Sequence, residues 1–352
     1  MSAARIRVLV VDDSAFVRKV VREMLSSAPH IEVVAVARDG EEALELVARH
    51  QPDVVTCDLL MPRLDGLGFV RRQMALRPLP ILILTAVPQD ATHAIDALEA
   101  GAVDLVLKPT ALATDDLRAI SQQLIEQVSA AAGAPVAKLL SARALAPGAA
   151  SAIPFSSAPP HGPRVDALVI GVSTGGPQAL RHLLPAFAAD FPVPIAIVLH
   201  MPVGYTALFA EKLNEICPLE VREAKEGDVM RPGLVLLAAA GRHLVLRRAP
   251  DGSVKAQLTV FPVEKLHRPS VDVLFRSAAE VYGQRVLAVV MTGMGDDGKE
   301  GCGWVKAQGG VVLTESEKSC IIYGMPRSVD EAGLSDASAP LDTMARTIYE
   351  RL

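Results

Sequence analysis

The chain has few cysteines, no excess of basic residues and no long hydrophobic run. Its four cysteines, Cys57, Cys217, Cys302 and Cys320, are scattered over 352 residues and form no C-x-x-C pair. They read as buried or reduced thiols of a cytosolic protein. Lys and Arg number 35 against 40 Asp and Glu, a net charge of -5. That balance argues against a generic nucleic-acid binder, whose surface usually carries a basic stripe. No segment reaches about 18 consecutive apolar residues, so no membrane insertion is expected. The segment Met1-Ser2-Ala3-Ala4-Arg5 lacks the apolar core and cleavage site of a signal peptide, which makes the cytoplasm the default location. No internal repeat of solenoid period is present.

What is there is an apolar half, 50% of the residues, ample for two cores. The length suggests two or three domains. Over residues 1–128, candidate strands Arg5–Val11, Ile31–Ala37, Asp53–Cys57, Ile81–Thr85 and Leu105–Leu107 alternate with helical patterns such as Phe16, Val17, Val20, Val21, Met24 and Leu25. Such alternation predicts a parallel sheet covered on both faces. Residues 129–164 are dominated by Ala, Pro, Ser and Gly and read as a linker, with a possible short helix over 136–145. Over residues 165–352 strands and helices alternate again. Three close-spaced runs, 233–237, 241–246 and 254–260, suggest a small antiparallel hairpin on a mainly parallel sheet. The fold class is therefore α/β, with two doubly wound parallel-sheet domains.

Ligands of open α/β sheets bind just beyond the carboxyl ends of the strands. Five polar residues occupy such ends in the N-terminal domain: Asp12, Asp13, Asp58, Thr85 and Lys108. Three clustered carboxylates repel unless a hard cation joins them. Mg²⁺ suits a site of few carboxylates plus phosphate. Lys108 adds a point charge and Thr85 a hydroxyl donor. The structural alternative is that Asp12 and Asp13 only cap the helix that starts near Ser14.

In the C-terminal domain, Ser173, His200 and Asp297 each follow an apolar run, respectively 167–172, 195–199 and 286–291. A hydroxyl, an imidazole and a carboxylate at three strand ends are the components of a serine-hydrolase site. The turn Gly171-Val172-Ser173-Thr174-Gly175-Gly176-Pro177 places Ser173 beside the free N–H groups of a helix N-terminus. The same turn also suits phosphate binding, but the P-loop and G-x-G-x-x-G patterns are absent. The string satisfies G-x-S-x-G, yet the histidine precedes the acid. The α/β-hydrolase fold orders them the other way, so that fold is excluded while the chemistry is kept. Spacing alone does not choose between Asp296 and Asp297.

Residues 5–128 resemble the receiver domain of two-component response regulators. The strings that carry this are Asp12-Asp13, Asp58-Leu59-Leu60-Met61-Pro62-Arg63-Leu64-Asp65-Gly66, Thr85-Ala86 and Lys108-Pro109. The resemblance implies a flavodoxin-like strand order and phosphoryl transfer from a histidine kinase to Asp58. It also implies Mg²⁺ held by Asp13, Asp58 and the Leu60 carbonyl with Asp12 assisting, and phosphoryl contacts from Thr85 and Lys108. Leu105 stands where many receivers carry an aromatic, so a rotating-aromatic switch is not expected.

The two domains together resemble the chemotaxis response-regulator protein-glutamate methylesterases. Further matching strings are His267-Arg268-Pro269-Ser270-Val271-Asp272-Val273-Leu274-Phe275, Ser319-Cys320 and Gly324-Met325-Pro326; as local structure alone, Ser270 or Asp272 caps a helix. The resemblance implies Ser173 as nucleophile, His200 as base, Asp297 as acid and the Met294 N–H as oxyanion donor, with no cofactor in the hydrolytic step. The implied substrates are glutamate γ-methyl esters and glutamines of methyl-accepting chemoreceptors. The unphosphorylated receiver is expected to block the hydrolase, and the protein to act as a monomer. A DNA-binding output is disfavoured by acidity and strand content; a non-catalytic module of the same fold is the other alternative.

Overall fold

The computed structural model describes residues 5–85, 91–108, 114–134, 136 and 165–352. The expected linker and the possible helix 136–145 lie outside the described residues, apart from 129–134 and Val136, as do Ala86 and Pro109. The chain forms two compact units that divide between Ser141 and Ala142.

In the first unit, β1 (Ile6–Val11), β2 (Ile31–Ala37), β3 (Val54–Asp58), β4 (Ile81–Thr85) and β5 (Asp104–Leu107) form a parallel sheet of order β2-β1-β3-β4-β5. This is the flavodoxin-like order. β3 and β4 are buried along their whole length, as expected of strands covered on both faces. The helices are α1 (Ala15–Ser26), α2 (Gly40–His50), α3 (Gly66–Leu76), α4 (Ala91–Ala100) and α5 (Thr114–Ala131). Three of them begin with a side chain that satisfies an orphan amide: Ser14 for α1, Asp39 for α2 and Asp65 for α3. α5 runs three residues past position 128, because Val128 and Ala131 are both fully buried and continue its apolar face.

The second unit carries a seven-stranded sheet of order β14-β13-β12-β6-β7-β9-β8. Its strands are β6 (Ala167–Val172), β7 (Ile195–Leu199), β8 (Glu220–Glu223), β9 (Leu234–Leu237), β12 (Val286–Val290), β13 (Val311–Glu315) and β14 (Ala337–Ala339). All of its pairings are parallel. The hairpin is β10 (His243–Arg248) with β11 (Val254–Thr259), antiparallel. Of the three close-spaced runs, only the last two form it. The first is β9, which joins the parallel sheet because all four of its residues are buried on both faces. The helices are α6 (Gly176–Leu183), α7 (Thr206–Ile216), α8 (Val271–Tyr282), α9 (Lys299–Ala307), α10 (Met325–Glu331) and α11 (Leu341–Tyr349).

From β6 the chain runs to β7, out to the edge strand β8 and back to β9 between them, then crosses to β12 on the other side of β6. The carboxyl ends of β6 and β12 therefore border the point where winding direction reverses, the expected place for a ligand crevice. Among the described residues, no helix is long and apolar enough to cross a membrane.

Candidate active site

Register brings the strand ends of the second unit together. Val172 pairs with Leu199, and His200 N donates to Val172 O at 3.1 Å. On the other side of β6, Met291 N donates to Gly171 O at 2.9 Å and Ser173 N donates to Thr292 O at 3.0 Å. Ser173 and His200 thus leave adjacent strands at the same level, and the loop after β12 lies against Ser173. A Cβ on Gly293 would stand 2.8 Å from the Ser173 Cβ, so only glycine permits this approach. On the helix side, Gly175 takes φ 80°, the left-handed turn that starts α6 immediately after the serine.

Asp297 and His200 meet. His200 Nε2 lies 2.8 Å from Asp297 Oδ2. Asp297 also accepts from Ser270 Oγ (2.8 Å), Val271 N (2.8 Å) and Asp272 N (3.0 Å). Burial pushes this carboxyl's pKa up. The hydrogen bond and charge of His200, with the amides of Asp272 and Val271, outweigh burial and hold it well below the usual carboxylate range. An ionised Asp297 only accepts, so neutral His200 carries its proton on Nε2 and its basic lone pair on Nδ1. Nδ1 is buried and has no hydrogen-bond partner among the described residues. The serine and imidazole are thus backbone neighbours without a side-chain bond, a contact that in many hydrolases closes only around substrate. Asp296, the alternative acid, is exposed, whereas Asp297 is buried.

The Met294 N–H donates to no group among the described residues. The loop that holds it is pinned from below: Thr292 N donates to the buried Glu315 at 2.9 Å, and Gly324 N and Met325 N both donate to Gly293 O. Burial raises the Glu315 pKa.

In the first unit, Asp12, Asp13 and Asp58 offer oxygens that all lie within 4.8 Å of one another. Lys108 Nζ lies 2.7 Å from Asp58 and 2.9 Å from Asp12. Burial is the largest influence on Asp58 and raises its pKa, with Lys108 opposing but not cancelling it. For Lys108 burial acts downward, and its two carboxylate partners outweigh it, so the ammonium stays charged. Thr85 ends β4 in a buried position. The crevice holds more carboxylate than cation, and its donor set is all oxygen, which fits a divalent ion such as Mg²⁺.

Residues 168–348 match the family model of the CheB methylesterase, and residues 8–121 match that of the response regulator receiver domain. A Myxococcus xanthus protein named protein-glutamate methylesterase/protein-glutamine glutaminase 5 is 51% identical over 340 residues, 96% of each chain. A protein-glutamate methylesterase/protein-glutamine glutaminase of Halalkalibacterium halodurans is 42% identical over 349 residues, 99% of each chain. The chain belongs to the CheB methylesterase family. The crystal structure of the Thermotoga maritima CheB methylesterase catalytic domain superposes with a TM-score of 0.52 at 38% identity, covering 53% of this chain and 99% of that one.

In this CheB-family chain, residues that strand-end reasoning did not single out pack around the His200–Asp297 pair. Ser270 reaches the Asp297 carboxylate instead of capping its own helix. Asp272 accepts from Gly298 N (2.9 Å) and Gly301 N (2.8 Å), at the start of α9. Two helix N-termini therefore exchange caps: Asp297, just before α9, serves α8, and Asp272, in α8, serves α9. Both positive helix ends face the carboxylate pair. Lys265 reaches Asp272 at 3.0 Å and Glu300 at 2.6 Å, which ties the preceding loop down. From that loop the His267 ring stacks on His200, centroids 4.1 Å apart and planes 18° from parallel. The only sequence signal for these roles was the compact string 267–272 just before a helix.

Proposed function

We propose that this chain is a phosphorylation-activated hydrolase. It removes methyl groups from glutamate γ-methyl esters of chemoreceptors and deamidates receptor glutamines, resetting a chemotaxis-type signal from the cytoplasm. The reading is carried by the His200–Asp297 pair beside Ser173 in a chain whose curated relatives bear both activities in their names.

Ser173 Oγ attacks the ester carbonyl while His200 Nδ1 takes its proton. The carbonyl oxygen becomes an oxyanion that the Met294 N–H is placed to receive; one such donor is worth about 100- to 1000-fold in rate. Collapse expels methoxide, which leaves as methanol with the proton from Nδ1. Water then attacks the acyl-enzyme through the same base and frees the glutamate. An amide follows the same steps with ammonia as leaving group. Asp297 keeps the Nε2 proton in place and stabilises the imidazolium.

Asp58 accepts the phosphoryl group from a histidine kinase. Asp13, Asp58 and the Leu60 carbonyl would hold Mg²⁺ with Asp12 assisting, and the ion would supply counter-charge to the phosphoryl oxygens. Lys108 and Thr85 contact the same group. The added negative charge shifts the population away from a receiver-blocked hydrolase. The monomeric chain suffices for this cycle.

The test uses full-length protein, an acyl phosphate donor and membranes with methylated chemoreceptors. Methanol is released by the parent and, for Ser173→Ala, falls by at least about 1000-fold. Methanol release at the parent rate by Ser173→Ala ends the proposal.

A further inference from the structure

We infer that His267 is a positioning residue for the general base: its flat contact fixes the plane of the His200 ring, with Nε2 on Asp297 and Nδ1 left as the unpaired basic nitrogen. The inference rests on the hydrolase reading above and adds a residue to it.

The His200 ring is held at one edge by a single hydrogen bond to Asp297, and its other nitrogen has no partner among the described residues. One edge contact leaves rotation about that bond open. A ring stacked 4.1 Å away and nearly parallel removes that freedom, and a misplaced base is costly in rate. The support is itself anchored. His267 sits between Lys265, which bridges Asp272 and Glu300, and Arg268, whose carbonyl accepts from Gly241 N. His243 holds the far side of the same loop. Its Nε2 donates to Pro262 O and its Nδ1 accepts from Ser270 N, which fixes its tautomer.

The charge state of His267 suits the role. Burial, with the neighbouring His200, lowers its pKa to about 4 despite Asp297 and Asp296. Lys265 and Arg268 flank it in the chain, and His243 lies beyond. At neutral pH the supporting ring is therefore uncharged and does not oppose the imidazolium that forms on His200. A cation at the same place would oppose that imidazolium.

The test is the rate of Ser173 modification by a fluorophosphonate, followed by intact mass on the full chain from pH 5 to 9 with an acyl phosphate donor present. This probe needs an activated serine but no receptor ester. His267→Ala slows labelling by about 10- to 100-fold, and His267→Phe, which keeps a flat ring, restores it to within about threefold. His267→Lys moves the acid limb of the pH profile down by about one unit, a change a merely structural residue would not cause. Should the alanine variant melt below the assay temperature, the Phe and Lys variants carry the comparison. Parent-like labelling by His267→Ala, a Phe variant no better than Ala, or an unmoved acid limb in His267→Lys overturns the inference while leaving the hydrolase reading intact. A parent that does not label at all overturns the hydrolase reading and the role of His267 with it.

Discussion

Asp58 and Asp297 each mark the carboxyl end of a parallel strand or the loop that follows it. They are 5% and 9% exposed, yet their acidities move in opposite directions. Burial raises both. Asp297 is brought down by four donors that converge on its two oxygens. Asp58 has the Leu59 amide and one ammonium, which it shares with a second carboxylate, Asp12. The donor count, not the depth of burial, decides which buried carboxylate is a permanent charge. Asp297 is satisfied and rigid, suited to orienting an imidazole. Asp58 is under-satisfied, the condition in which a divalent ion and a phosphoryl group lower the free energy of the crevice.

The largest break in that comparison comes from Asp297→Asn. An amide has one acceptor oxygen, so its NH₂ must face a pair of donors, either His200 and Val271 or Ser270 and Asp272. If it faces His200, the ring is forced into the other tautomer and the base is lost. The expected fall in kcat is about 10,000-fold, measured as methanol release. A loss below about tenfold would mean that the carboxylate's charge is not what matters.

Asp58→Asn tests the other arm with a smaller effect. The gain in activity on adding an acyl phosphate disappears, and Mg²⁺ affinity by calorimetry falls about tenfold or more, as expected when a ligating carboxylate is lost. The receiver meanwhile becomes more stable. An acid whose folded pKa is raised destabilises the fold once the pH is above its unfolded value, so neutralising it raises the Tm of the receiver. A lower Tm would show that the Asp58–Lys108 pair is net stabilising.

The strands that position both sites were legible because residues buried on two faces read as unbroken apolar runs, as in 167–172 and 195–199. The polar residue that ends each run was legible for the same reason. β8 was not, since Glu220-Val221-Arg222-Glu223 is a short edge strand with one buried residue. The role of β9 was misread as hairpin, because a buried apolar tetrapeptide does not reveal its direction. The choice of Asp297 over Asp296 depends on donors 25 to 27 residues upstream. The stack of His267 on His200 depends on a contact 67 positions away in sequence (267 − 200). Neither leaves a local pattern.

The smallest effect sharpens the comparison by asking which cation serves Asp297. If His267 is held neutral, His200 is the only imidazole that can pair with it. Free histidine titrates near 6.5, and in the fold this ring titrates near 4. Between those values the unfolded chain binds the extra proton, so stability is complete above about pH 6.5 and is lost as the pH falls towards 4. At pH 5 the loss is no more than about 2 kcal/mol, the ring being partly exposed. Asp297 adds little above about pH 5, because an unfolded aspartate begins to take up its proton only as the pH approaches its ordinary value near 4. His267→Phe removes the ionisation, so the drop in Tm of the catalytic unit between pH 7.5 and pH 5 is shallower in the variant than in the parent, as read by calorimetry. Identical slopes would mean that His267 protonates as readily in the fold as out of it, and its neutrality beside His200 would be lost.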